Sequence, residues 1–133
     1  MRKKIVLYPA SLPDLSNINL NIQYLGSCLG LFGLRDKDSS CFRLFVELVK
    51  IAKKKSVISS DELAFKLGLS RGTVVHHLNK LIAAGIVTRA DNRYFLVKPT
   101  MFQVVEHIEK EVNTLMKNLK KVAKKLDEQI GME

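Results

Sequence analysis

Along residues 70–84, apolar side chains recur at Val74, Leu78 and Leu81, the three-and-four spacing of one helical face, and polar or small residues fill the positions between them. Ser70 is placed to cap the start of that helix with its hydroxyl, and Ala84-Gly85-Ile86-Val87 leads out of it. Just upstream, Ile58-Ser59-Ser60-Asp61-Glu62-Leu63-Ala64-Phe65-Lys66-Leu67-Gly68 predicts a shorter helix. Ser59 and Glu62 stand at capping-box spacing, and Gly68 is a natural C-terminal stop. Two helices joined by so tight a turn predict a helix-turn-helix.

The flanking pattern extends this unit. Asp36-Lys37-Asp38-Ser39-Ser40 is rich in capping residues, and Cys41 to Ala52 places Phe42, Phe45, Leu48, Val49 and Ala52 on a helical stripe. Lys53-Lys54-Lys55 ends that helix, where cations complement the helix dipole. Val57 and Ile58 predict a short strand. Thr88-Arg89-Ala90-Asp91-Asn92-Arg93-Tyr94-Phe95-Leu96-Val97 reads as two β-prone runs around a polar turn. At the other end of the chain, residues 1–15 form an arm with one short strand expected at Ile5 to Tyr8. Ile18, Leu20, Ile22 and Tyr24 alternate with polar residues as in a strand, yet Leu15, Ile18, Ile22, Leu25 and Leu29 also share one helical face.

After Lys98-Pro99, Thr100 and Gln103 at capping-box spacing open the last helix. Met101, Val105, Ile108, Val112, Leu115, Leu119, Val122 and Leu126 recur at steps of four and three, a sustained heptad stripe. About thirty residues at about 1.5 Å each make a rod roughly 45 Å long, more than so small a domain can cover. The stripe from Val105 through Ile108, Val112, Leu115, Leu119 and Val122 to Leu126 therefore calls for a second copy of the chain. Val104, Met116, Ala123 and Ile130 widen it beyond a two-helix seam, and the Tyr24 to Leu34 segment is the expected extra cover. Lys117, Lys120, Lys121 and Lys124 fall on the outer positions and read as a solvated face.

Gly68-Leu69-Ser70-Arg71-Gly72-Thr73-Val74-Val75-His76-His77-Leu78-Asn79-Lys80-Leu81 and the exit Ala84-Gly85-Ile86-Val87 resemble the winged helix-turn-helix transcription regulators of the ArsR/MarR-like kind, archaeal members in particular. The resemblance covers about residues 40–98. It implies a winged helix-turn-helix DNA-binding domain over 39–99, with the wing at 86–97, to which the heptad stripe adds a coiled-coil-like dimerisation helix over 100–133, a mainly α (α+β) fold in all. Residues 1–38 then form an arm and a helix supporting the dimer, which favours the helical reading of Ile18 to Leu29. The implied activity is that of a homodimeric transcription regulator that reads double-stranded DNA with the helix 70–84.

At about 100° per residue from Val74, the positions Gly72, His76, Asn79 and Ala83 project opposite the buried stripe, flanked by Thr73 and Lys80. Small residues let such a helix enter a major groove deeply. His76 and Asn79 can then hydrogen-bond base edges, and Val75 can touch a thymine methyl. Ser70, Arg71, Thr73 and Lys80 are placed for phosphates, which set register without reading sequence. Arg89 and Arg93, on the shoulders of Asp91-Asn92, are expected to touch backbone or minor groove. His77 lies on the flank of the buried stripe and is assigned a structural role.

Charge supports a polyanion partner. The 133 residues carry a net +9, but residues 100–133 hold six Lys against six Asp or Glu, so the whole surplus lies in residues 1–99. Cys28 and Cys41 form no CxxC and have no His/Cys companions, which predicts reduced thiols in a cytoplasmic protein. The apolar run after Arg2-Lys3-Lys4 stops at Pro9, and Leu25 to Leu34 is short and broken by glycines, so neither an export signal nor a membrane span is expected. His107 with Glu106 or Glu111 supplies too few ligands for a metal, no cofactor motif is present, and no nucleophile, base and acid set suggests an enzyme. The competing reading is a winged-helix protein adaptor. Its discriminating feature would be an apolar or acidic face where this chain has Arg71, Gly72, His76, Asn79 and Lys80. RNA binding is disfavoured by the few, scattered aromatics.

Overall fold

A computed structural model describes residues 3–32 and 39–132. Its elements run α1 (Ile18–Cys28), α2 (Ser40–Lys53), β1 (Ile58–Ser59), α3 (Ser60–Leu67), α4 (Arg71–Ala83), β2 (Val87–Ala90), β3 (Arg93–Leu96) and α5 (Met101–Ile130). Most boundaries have a local cause. Asn17 Oδ1 accepts the Leu20 N–H at α1, Ser59 and Glu62 complete a capping box at α3, and Ser70 and Thr100 accept the N–H groups of Thr73 and Gln103. Gly68 and Gly131 end α3 and α5 in the left-handed region. At α2 the expected cap differs: Ser39 has φ 52° and makes no side-chain cap bond. The capping residues expected at Asp36, Lys37 and Asp38, the end of the apolar run at Gly33 and Leu34, and Arg2 lie outside the described residues.

The three strands form an antiparallel sheet in the order β1-β3-β2, with Ile58 opposite Tyr94 and Val87 opposite Leu96. Asp91, at φ 55°, turns the β2–β3 hairpin. Val74, Leu78 and Leu81 of α4, Leu63 of α3, and Val104 and Ile108 of α5 share one buried core with Ile58, Val87, Tyr94 and Leu96 of the sheet. On α2 the buried set is Cys41, Leu44, Phe45, Leu48 and Ile51, whereas Phe42, Val49 and Ala52 of the expected stripe are only half-buried. Neighbours on several sides widen and rotate the arc that α2 buries. Phe32, for example, packs edge-on to Phe42 with ring centroids 5.3 Å apart. Glu47 is also buried on α2, and its carboxylate meets Lys66 Nζ at 2.5 Å, so α3 is held to α2 by a compensated charge.

Residues 5–8 form no strand. Lys4 N–H donates to the Ala83 carbonyl at 2.7 Å and Tyr8 N–H to the Cys28 carbonyl at 2.8 Å, so the arm crosses the ends of α4 and α1 on single bonds rather than a ladder. Ile18–Cys28 is helical, which decides between the two periodicities. Its end packs on α2 through Leu31 and Phe32 rather than along the far half of α5, where Leu115 to Ile130 remain exposed. Gly26 is needed there. A Cβ at this position would lie 1.8 Å from Phe32 Cε2. Gly26→Ala is expected to destabilise the fold by about 1–3 kcal/mol, read as a lowered urea midpoint, because the ring it displaces is itself packed against Phe42 and Phe45.

On α5 the buried residues are Val104 and Ile108, while Val105 faces outward. This corrects the stripe expected from the heptads: Ile108, 4% exposed, belongs to the chain's own core and not to a surface open to a second copy. Met101 and Val112 pack partly against that core. From Leu115 onward every large apolar side chain of α5 is exposed.

Candidate nucleic-acid interface

The helix α4 divides as its period dictates. Val74, Leu78 and Leu81 are fully buried, and Arg71, Gly72, His76 and Asn79 are exposed on the other side, with Val75 half-buried between. Ser70 Oγ accepts the Thr73 N–H at 3.1 Å and donates to Thr73 Oγ1 at 2.8 Å, so both hydroxyls are ordered at the start of this face. A Cβ on Gly72 would meet nothing within 4 Å. No part of the described chain therefore demands a glycine there. Arg71 lies 3.5 Å from Asp61, both well exposed, a surface pair weak enough to be exchanged for a phosphate. His77 is half-buried with its ring centroid 5.5 Å from that of His76.

Two of the expected phosphate contacts also have partners within the chain. Lys80 is half-buried, and its Nζ donates to the Leu31 carbonyl at 2.7 Å, tying α4 to the segment after α1. Arg93 forms an ion pair with Glu62, which joins β3 to the capping box of α3. The Ser59 hydroxyl and backbone N–H hold the Glu62 carboxyl below the usual carboxylate range, and the Arg93 charge adds to this. Arg89 stays at the wing. Its Nε donates to the Asp91 carbonyl at 2.9 Å, an Nη donates to Asn92 Oδ1 at 3.2 Å, and its guanidinium lies 5.9 Å from the Tyr94 ring centroid. The sequence reading missed Arg43. Its guanidinium donates to the Leu67 carbonyl at 2.5 Å and so secures the C-terminus of α3 from 24 residues away.

Thus α4 presents Arg71, Gly72, His76 and Asn79 on a helix clamped at Lys80, with Arg89 on a hairpin that follows it. Among the described residues no three His, Cys, Asp or Glu side chains are grouped to hold a metal ion, and no helix is long and apolar enough to cross a membrane.

Residues 47–89 match the family model for bacterial regulatory proteins of the arsR family. The match runs from the second half of α2 through α3 and α4 into β2. Comparison with curated proteins and with solved structures gives no match. The matched segment contains both helices of the motif and the exposed α4 face, and the β2–β3 hairpin completes its wing. The chain therefore carries a winged helix-turn-helix of the ArsR type, the DNA-binding unit of a transcription regulator.

Proposed function

We propose that the protein is a homodimeric, sequence-specific regulator that places α4 in the major groove of double-stranded DNA and the β2–β3 wing on the adjacent backbone or minor groove. The observation carrying this reading is the exposed face of α4, where polar, small and basic side chains stand on a helix anchored by three buried residues. His76 and Asn79 read base edges and Val75 touches a methyl group. Ser70, Arg71 and Thr73, with Arg89 on the wing, position the duplex. Residues 39–99 form the reading unit and 100–133 join two copies, supported by 1–38. The protein works in the cytoplasm and is not an enzyme.

Dimerisation is supported by the exposed apolar stripe of α5 from Leu115 to Ile130, which this chain leaves uncovered. A protein-adaptor role has one observation in its favour, Phe65 on α3, 92% exposed. The polar, basic face of α4 outweighs it. Selection of bound sites from random DNA, followed by footprinting, tests the proposal. The expected site is an inverted repeat with half-sites about 10 bp apart or a multiple of one turn. Protection of a single asymmetric half-site would overturn the dimer geometry, and no enrichment above random sequence would overturn specific reading.

A further inference from the structure

Behind the wing, β1 and β3 part. They pair at Ile58↔Tyr94 and Ser59↔Arg93, and the same register carried one step back would set Val57 against Phe95. Pairing stops there, because residues 54–56 are still turning off the end of α2. The gap is a cleft of about 520 Å³, within the size range of small-molecule sites. Ala52, Val57, Phe95 and Pro99 contribute apolar wall, Lys55 and Lys98 stand in the lining, and no acidic residue does. Neither lysine forms an ion pair among the described residues. Val57 remains 47% exposed.

Lys55 adds a separate observation. Its φ is 54°, in the left-handed region that glycine occupies freely and lysine rarely adopts. Bonds from Lys55 N–H to the Ala52 carbonyl at 3.0 Å and from Ser56 N–H to the Ile51 carbonyl at 3.1 Å hold it there. Glycine would close the same turn with less strain, and the residue that occupies it beside this cleft is a cation.

We propose that the cleft binds a small amphipathic carboxylate, its hydrocarbon part against Val57, Phe95 and Pro99 and its charge met by Lys55 and Lys98. An apolar wall favours hydrocarbon over a polyanion backbone. Two cations without carboxylate partners favour one anion over a neutral or cationic ligand.

The test is titration of the isotopically labelled full chain with octanoate, 1-octanol and octylammonium at fixed ionic strength, followed by backbone amide shifts. Octanoate is expected to give saturable shifts at residues 52–57 and 95–99, with Kd on the order of 0.1–1 mM for so small a ligand. It should bind about tenfold or more tightly than octanol, and octylammonium should not bind there. Lys98→Glu should weaken octanoate about tenfold and leave octanol unchanged. Lys55→Gly removes the cation and the strain together, so it should weaken octanoate while raising the urea midpoint. Loss of octanoate affinity in a more stable protein cannot be ascribed to misfolding. The proposal is overturned by absence of saturable shifts at the cleft, by shifts confined to Leu115–Ile130, by octanol or octylammonium binding as well as octanoate, or by undiminished octanoate affinity in both variants.

Discussion

Glutamate at both Leu115 and Leu119 is expected to produce a monomer that sediments at half the parent mass and binds its DNA site about 10²–10⁴-fold more weakly. The two leucines are 58% and 51% exposed on α5 and take no part in the buried core, so their replacement leaves the fold of one chain intact. In a dimer each would contribute roughly 1.5–3 kcal/mol of burial, and charges one turn apart along the seam oppose association further. The loss on DNA follows from bivalency, since a monomer engages one half-site without the effective concentration that the second subunit supplies. Sedimentation velocity and binding to a full and a half site measure both effects. A double variant that remains dimeric would show that the α5 stripe serves some other contact.

Two neighbouring residues of α4 should respond in opposite ways to alanine. Leu78 is fully buried, and Leu78→Ala is expected to cost about 2–5 kcal/mol of fold stability, because the cavity it leaves is only partly refilled. His76, two positions earlier and exposed, should change stability by no more than about 0.5 kcal/mol. Its effect belongs to recognition: His76→Ala should erode discrimination at one base-pair position by roughly 1–3 kcal/mol with little loss on random duplex. Arg71→Ala serves as the contrast, weakening binding on every sequence and making the salt slope shallower by up to about one unit. Urea denaturation and competition binding against single-base variants of the selected site separate the three. Equal losses on all sequences for His76→Ala would move His76 from reading to positioning.

These contrasts depend on a rigid α4, and several contacts provide it. Lys80 ties its last turns to the Leu31 carbonyl, and the Lys4 amide bonds the Ala83 carbonyl nearby. On α3, the paired Glu47 and Lys66 and the Arg43 contact to Leu67 fix the helix that precedes it. Arg93, joined to Glu62, couples the wing to the same helix. Lys80 and Arg93, read from the sequence as phosphate contacts, thus also have partners within the chain.

The helix-turn-helix itself was legible in the amino-acid order because its determinants are local. The Ser59–Glu62 capping box, the left-handed stop at Gly68, the Ser70 cap and the buried triad Val74, Leu78 and Leu81 all lie within one or two turns of what they act on. Backbone geometry alone brings such residues together. Exposure of His76 and Asn79 follows from the same period. Other features were decided only by the assembled chain: Lys80 meeting a carbonyl 49 residues away, Arg93 meeting a carboxylate 31 residues away, Val104 buried in place of Val105, and residues 5–8 held by single bonds instead of a ladder. A long cationic side chain reaches a phosphate or an internal acceptor equally well, and a helical stripe can turn by one position to suit its neighbours. Sequence period specifies which faces are apolar, whereas the partner that a flexible charge finds, and the arc a helix buries, depend on what packing brings within reach.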